Sequence, residues 1–212
     1  MATAITDTGT GTESGAHALP ALPSAAPPAR PRVTLIGTAL ASAAVFMMFA
    51  GLIGVYLSYR SQGLNATGKW LPDGASIPLT PANAALFTLV LSVVTMQWAV
   101  YAVANNDRQH AYFALGLTIF FGLCFINMTS FLYSQMKLGV AKSPAGVLIH
   151  VITGAHLALV VIALAYAALM TLRTLGGEYA GRDREGITAA SLFWYVTVAV
   201  FAVIWYAIYI TK

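Results

Sequence analysis

Residues 144–172 read PAGVLIHVITGAHLALVVIALAYAALMTL and contain no Asp, Glu, Lys or Arg. A run of about 20 apolar residues is long enough for an α-helix to cross the hydrocarbon core of a bilayer. The proline at the start suits the first turn of a helix, where its missing N–H breaks no hydrogen bond. This stretch therefore predicts a membrane-spanning helix and, with it, the class of the fold.

Similar apolar runs recur along the 212 residues, of which 58% are hydrophobic and 8% are charged. Since an ordinary soluble domain has about a quarter of its residues charged, this composition excludes a water-soluble fold. We expect an all-α, polytopic membrane protein with five transmembrane helices. The predicted spans are 33–59, 81–104, 112–135, 144–172 and 187–210. Residues 60–80 predict an irregular polar loop, because they contain several Gly and Pro residues.

The first 32 residues differ in composition from the rest and are rich in Ala, Thr, Gly and Pro. The prolines crowded between Pro20 and Pro31 disfavour a helix, so we expect a flexible N-terminal tail before a transmembrane domain at 33–212. The apolar run that follows the tail is too long for a secretory signal peptide, and it should persist as a helix.

Charge patterning gives an expected orientation. An odd number of spans places the chain ends on opposite sides, with six Lys or Arg on the side of the N-terminus and five on the other. Because cytoplasmic loops carry the excess of basic residues, we expect a cytoplasmic N-terminus. The basic residues are scattered rather than clustered, which argues against a nucleic-acid partner.

Two histidines, His150 and His156, are the only ionisable side chains predicted deep in a span, because all seven Asp and Glu residues fall in the tail or loops. Ion pumps normally place a carboxylate at membrane depth, so a self-contained pump is disfavoured. Six residues correspond to about 120° around a helix, so the two imidazoles do not share one face. We expect both to be hydrogen-bonded within the bundle or to a partner subunit, with His110 left in a loop.

Uncharged polar residues in the spans allow two interpretations. They predict either hydrogen bonds between buried helices, worth about 0.6 kcal/mol each, or a polar pathway for a solute. Small residues spaced by four on the first helix, Ala50, Gly54 and Ser58, predict a packing seam. Trp194 is expected with other aromatic residues in a belt at the membrane interface. The uncharged polar residues in the spans, to which the two interpretations apply, are Ser92, Thr95, Gln97, Asn127, Thr129 and Ser130.

Short patterns follow one another in a fixed order along the five spans. They are Met47-Met48-Phe49-Ala50-Gly51-Leu52 with Tyr56; Thr80-Pro81 with Asn83, Leu91, Ser92 and Thr95; Gly122 with Phe125 and Tyr133; Thr153-Gly154-Ala155-His156; and Phe193-Trp194. In this order and spacing the chain resembles the cytochrome c oxidase subunit III family of haem-copper terminal oxidases. The resemblance is to the shorter, five-helix bacterial form, and it covers residues 33 to 212.

The chain departs from the family pattern at ionisable positions. Glutamates of the family fall at Val45 and Leu132, histidines at Leu159 and Tyr195, and an aspartate at Val198. Roles that depend on those groups, such as protecting proton uptake, are therefore not expected to carry over, whereas a scaffold role is.

The resemblance implies an accessory subunit that lacks a redox cofactor and stabilises the catalytic subunit I, which carries the haems and copper. Contacts with other oxidase subunits and with bound phospholipid are also implied, in a multi-pass protein of the bacterial plasma membrane. Oxygen reduction with proton pumping in aerobic respiration would belong to the complex. No residue is then catalytic, cofactor-binding or metal-binding, and His150, Thr153, His156 and Trp194 are candidates for structural, partner or lipid contacts.

Three other hypotheses remain open at this point. The related accessory protein of nitric oxide reductases has the same fold. A small haem-binding membrane cytochrome would use His150 or His156 as a ligand. A carrier for a neutral solute would need a polar cavity, which only Gln97, Asn127 and Thr129 could line.

Overall fold

The computed structural model describes residues 32–176 and 185–211. These residues form five α-helices, and the last of them continues into a short π-helix. Each α-helix is long and apolar enough to cross a membrane, which confirms the prediction of an all-α protein with five spans. The helices are α1 (Val33–Thr67), α2 (Leu79–Ala104), α3 (Arg108–Gln135), α4 (Pro144–Leu175) and α5 (Glu185–Ile204), and the π-helix is Trp205–Ile210. The predicted tail lies outside the described residues, except for Arg32.

The last helix is the centre of the bundle. It packs against α1, α2 and α4, while α2 and α3 form an extensive antiparallel pair. Of the most apolar part of each span, 61% is buried in α5 with its π-helix but only 17% in α1. The first helix therefore lies at the edge of the bundle, and most of its surface is free to face lipid or another chain.

The prediction that the first span ends at Tyr59 was wrong, because α1 continues to Thr67. Gly63, taken as part of a loop, lies within this helix, and a Cβ at Gly63 would come within 2.9 Å of the Trp70 ring. Trp70 folds back onto the helix at this glycine, and its ring also contacts that of Tyr56 at 5.7 Å. Gly68 caps the end of the helix, and its left-handed φ of 70° suits glycine.

The start of the third span was also predicted too late. The helix begins at Arg108 rather than Tyr112, so His110 lies in its first turn and not in a loop. Asp107 is the N-cap, and its Oδ1 accepts a hydrogen bond from the backbone N–H of His110 at 3.2 Å. An aspartate that satisfies a first-turn N–H stabilises a helix start, which explains the earlier beginning.

The ends of α5 are fastened to α1. The Glu185 carboxylate accepts a hydrogen bond from the backbone N–H of Leu35 at 2.9 Å, and the Arg60 guanidinium donates to the Thr211 carbonyl. These contacts place an anion at the start of α1 and a cation at the end of the π-helix that continues α5, where each complements the helix dipole. They also show that α1 and α5 run parallel, as the first and last of five spans must.

Candidate functional site

The candidate site is a set of hydrogen bonds that joins α4 to its neighbours around His156. This imidazole is 1% exposed, and its Nε2 donates to the backbone carbonyl of Thr197 on α5 at 3.0 Å. Since a carbonyl oxygen can only accept, the geometry assigns the proton of a neutral ring to Nε2. His156 therefore links α4 to α5 through a bond that does not involve solvent.

Three phenylalanine rings enclose this histidine. Phe49 of α1, Phe125 of α3 and Phe201 of α5 lie 6.1, 5.6 and 5.1 Å from the imidazole centroid, and Phe125 also stacks edge-on against Phe201 at 4.8 Å. Side chains from four helices thus meet at one point in the bundle. A cluster of this kind fixes the relative rotation of the helices, because aromatic edges and faces prefer specific geometries.

Thr153 and His150 lie one and two turns before His156 on α4, and both are adjacent to Tyr133 of α3. The Tyr133 hydroxyl donates to Thr153 Oγ1 at 2.7 Å, and Thr153 donates in turn to the Ile149 carbonyl at 2.6 Å. The His150 ring tilts against Tyr133 at 5.3 Å. Its Nδ1 donates to the carbonyl of Gly146 in the same helix at 2.8 Å. Thr153 therefore bridges two helices, whereas the hydrogen bond of His150 is local.

Trp194 joins α5 to the α2–α3 pair. Its indole Nε1 donates to the Ser92 hydroxyl at 3.0 Å, and Ser92 donates to the Leu89 carbonyl at 2.5 Å. One turn further along α2, the hydroxyls of Thr95 and Thr118 lie 2.8 Å apart. Trp194 is 1% exposed, so the expectation that it belongs to an interfacial aromatic belt was wrong.

Gly122 makes room for this tryptophan. A Cβ at Gly122 would collide with Leu164 Cδ2 and would lie 3.0 Å from a ring carbon of Trp194. There is no space for a side chain, so α3 approaches α4 and α5 at this point because residue 122 is glycine. The sequence contained the glycine within a family-like pattern, but its spacing gave no sign of what it contacts.

The five positions where family-type ionisable groups are replaced belong mainly to the packed interior. Leu132, Leu159 and Val198 are buried and Val45 is partly buried, and the Tyr195 hydroxyl donates to Gln97 Oε1 at 2.6 Å. Apolar side chains need no hydrogen-bond partner in such surroundings, whereas a carboxylate would. The packing at these positions therefore does not require an ionisable side chain.

Several polar residues expected inside the bundle lie on its surface. Gln97, Asn127 and Ser130 are exposed on α2 and α3, while the buried Thr129 donates to the Phe125 carbonyl at 2.9 Å. The three side chains required for a solute pathway therefore do not line a common cavity. Ala50, Gly54 and Ser58 are also exposed, so this stripe is not a packing seam within the described chain.

The two histidines do not form a shared ligand pair. His156 faces the phenylalanine cluster, and His150 lies against Tyr133 with a bond to its own helix. Among residues 32–176 and 185–211, no three His, Cys, Asp or Glu side chains come close enough to hold a metal ion. To ligate a haem through Nε2, His156 would have to give up its bond to Thr197.

Charged groups at helix ends have defined partners, and Lys69 pairs with Asp73 at 3.0 Å in the loop after α1. Asp107 also accepts from His110 Nδ1 at 2.6 Å, and the backbone hydrogen bond from His110 is the main reason that the pKa of Asp107 lies below its usual range. Sequence reasoning missed the capping of α1 by Glu185, because the partners are 150 positions apart. An acidic residue directly before an apolar run was the available signal, but it indicated only its own helix.

Comparison with known proteins identifies the family of the chain. The family model described as "Cytochrome c oxidase subunit III" matches residues 33–212, which include every described helix. The chain is similar to proteins named cytochrome c oxidase subunit 3. It is 29% identical to that of Coturnix japonica and of Gallus gallus over 147 residues, which is 68% of this chain and 54% of each relative. With that of Cyprinus carpio it shares 27% over 164 residues, 74% of this chain and 62% of the relative. The chain thus spans about half to three-fifths of the length of these relatives.

Proposed function

The chain belongs to the cytochrome c oxidase subunit III family, and on this basis we propose that it is an accessory subunit of a haem-copper terminal oxidase. The observation that carries the proposal is the family match over residues 33–212. In the proposed role the chain holds no redox cofactor and packs against catalytic subunit I, which carries the haems and copper. Oxygen reduction to water and proton pumping belong to the complex.

The use of polar groups in the interior supports a scaffold. His156, Thr153 and Trp194 each join one helix to another, through partners on α5, α3 and α2. Among the described residues, the only Asp or Glu within a helix is Glu185, which is the first residue of α5 and caps α1. An ion-translocating protein needs an ionisable group at membrane depth that can change its partner. Here the polar groups serve packing, which is what a supporting subunit requires.

We further propose that the subunit stabilises subunit I, binds phospholipid and resides in a bacterial plasma membrane with its N-terminus in the cytoplasm. The exposed apolar surface of α1 offers a long face for acyl chains or a neighbouring subunit. The bacterial assignment rests on the resemblance to the five-helix form. The orientation rests on the count of Lys and Arg residues, six on the side of the N-terminus and five on the other.

The test is purification of the full chain in a gentle detergent through a C-terminal tag. Co-purifying chains are identified by mass spectrometry, and a reduced-minus-oxidised spectrum is recorded on the same sample. Recovery with a large polytopic haem-copper subunit is the expected result.

Recovery of the chain alone and colourless would refute the oxidase assignment. Recovery alone with a haem spectrum that disappears in His156→Ala would favour the cytochrome, and recovery with a nitric oxide reductase would favour that complex.

A further inference from the structure

The outer face of α3 is polar toward the end of the helix. Asn127, Ser130 and Ser134 are all exposed there and follow the exposed Leu123 at spacings of four, three and four residues. Within the described part of the chain, Asn127 and Ser130 make no hydrogen bond, while Ser134 donates to the Phe131 carbonyl of its own helix at 2.7 Å. An amide and a hydroxyl of this face thus lack partners in the chain itself.

These two residues lie at membrane depth. The helix has 28 residues, and at 1.5 Å per residue Asn127 and Ser130 are about 8 and 13 Å from its midpoint. Both fall within a hydrocarbon slab about 30 Å thick centred on the helix. Their hydrogen-bonding groups therefore meet acyl chains unless another protein covers them.

Two other exposed amides within the spans have partners in the chain itself. On α2, Asn83 accepts from Trp205 Nε1 at 3.0 Å, and Gln97 accepts from the Tyr195 hydroxyl. Asn127 therefore differs from these two amides, which also lie within spans. Large apolar side chains are exposed at comparable depth on α1 and α2, among them Leu40, Met47, Phe87 and Val94.

We propose that this face of α3, centred on Asn127 and Ser130, is the docking surface for a transmembrane helix of another oxidase subunit that presents an amide or hydroxyl side chain at this depth. The proposal rests on the proposed function, because it takes the partner from the same complex. The occupant must offer both donors and acceptors, because an amide carries both, and acyl chains offer neither.

The geometry suits a helix as occupant. A spacing of four, three and four residues is that of a straight seam between helices crossing at about 20°. The same face is an open surface of α3, formed by Leu123, Asn127, Ser130, Phe131 and neighbouring side chains of this helix. The small residues Ser130 and Ser134, four positions apart, allow close approach of a second backbone.

A second copy of this chain is the other possible occupant, and Asn127 would then meet its own equivalent. Leu123 and Phe131 stand one turn on either side of Asn127 and are 55% and 50% exposed. In a twofold contact these bulky side chains would meet their own equivalents at the same depth. Because an amide pair flanked by large apolar side chains occurs in helix dimers, the accessory role proposed above decides the choice of another oxidase subunit, and the identity of the crosslinked chain tests it.

The experiment is photocrosslinking in the assembled complex. A benzophenone amino acid replaces Leu123, which leaves Asn127 intact, and a matched probe replaces Val94 on the apolar face of α2. We expect a covalent adduct with another oxidase subunit from position 123 and none from position 94. Adding Asn127→Leu should lower the adduct yield about threefold, the effect of losing one interhelical hydrogen bond, whereas Asn127→Gln should preserve most of it.

The other outcomes separate the two proposals. If the oxidase subunits co-purify but position 123 gives no adduct, or gives one with a second copy of this chain, the docking surface is refuted and the accessory role stands. An adduct yield unchanged by Asn127→Leu also refutes it. If no oxidase subunit co-purifies, both proposals fail. Because Asn127 lies outside the packed interior, the Asn127→Leu variant should unfold at the same midpoint as the unsubstituted chain, and this comparison controls for folding.

Discussion

The imidazole of His156 on α4 donates a hydrogen bond to the backbone carbonyl of Thr197 on α5, 41 positions further along the chain. This contact lies inside a cluster of phenylalanine rings from three other positions in the bundle, Phe49, Phe125 and Phe201. A single side chain thus orients the central helix against its neighbours.

Truncation of this side chain should therefore destabilise the bundle. We expect His156→Ala to lower the free energy of unfolding by about 2–4 kcal/mol, as for other large buried side chains. The change removes the bond to Thr197 and leaves a cavity among three rings. The midpoint of unfolding in detergent measures it.

His150→Ala is the matched control, because His150 is only partly buried and bonds within its own helix. His150→Ala should lower the free energy of unfolding clearly less than His156→Ala does. Equal losses for the two variants would contradict the central role of His156.

A second prediction concerns Gly122, which packs against Trp194. Gly122→Ala should destabilise the protein by about 1–3 kcal/mol through overpacking, because its Cβ would collide with Leu164 and press on Trp194. Thermal unfolding and near-ultraviolet circular dichroism of the tryptophans would report the change.

Gly116→Ala on the same helix is the control, since a Cβ there meets no atom within 4 Å. It should be neutral or stabilising by up to about 1 kcal/mol, because alanine favours a helix over glycine. A loss at position 116 as large as that at 122 would show that backbone effects, not the contact with Trp194, decide the outcome.

Removal of the carboxylate that caps α1 should loosen the first turn of that helix. Glu185→Ala takes away the acceptor of the Leu35 N–H, so we expect hydrogen exchange at the Leu35 amide to rise about fivefold, corresponding to about 1 kcal/mol for a lost cap. Hydrogen–deuterium exchange with mass spectrometry would measure it.

Glu185→Gln keeps an oxygen acceptor and should raise exchange less. If both variants exchange like the unsubstituted chain, the carboxylate does not cap α1 in solution.

Acidification should release the cap of α3 only at low pH. The pKa of Asp107 is lowered in the folded chain, mainly by the backbone hydrogen bond from His110. Because the pKa of Asp107 is lower in the folded chain than in the unfolded chain, the stabilisation by this cap is fully present above the ordinary pKa of aspartate. It is lost as the pH falls through the pKa of the folded chain. Exchange at the His110 amide, corrected for its intrinsic pH dependence, should rise in that acidic range.

Asp107→Asn should remove this pH dependence while preserving much of the cap, because asparagine is a good N-cap that does not titrate. Persistence of the acidic transition in that variant would assign it to another group.

The sequence alone determined the fold class and the approximate positions of the spans. An apolar run of sufficient length must form a helix in a bilayer, since every backbone polar group has to be satisfied within the segment. Residues 144–172 illustrate this, because the observed α4 begins at the predicted Pro144. The order of short patterns along five spans also indicated the family, which the match over 33–212 confirms.

The ends of the spans were harder to predict from the sequence. In the part of α1 that continues to Thr67, Trp70 packs over Gly63, and a glycine by itself predicts a turn as readily as a contact. The early start of α3 depended on Asp107 acting as a cap, a local signal that composition-based boundaries overlooked. The π-helix at Trp205–Ile210 had no signature in the apolar pattern.

Only the tertiary structure decided which polar residues face inward. On a helix that is apolar on all sides, periodicity does not distinguish the surface that meets lipid from the one that meets protein, because both prefer the same side chains. Ser92 and Asn127 therefore look alike in sequence, yet Ser92 is buried with Trp194 as its donor and Asn127 lies exposed on α3. The sequence thus determined that five helices cross the membrane, whereas the rotation of each helix about its axis, which brings His156 to Thr197, followed from packing between distant segments.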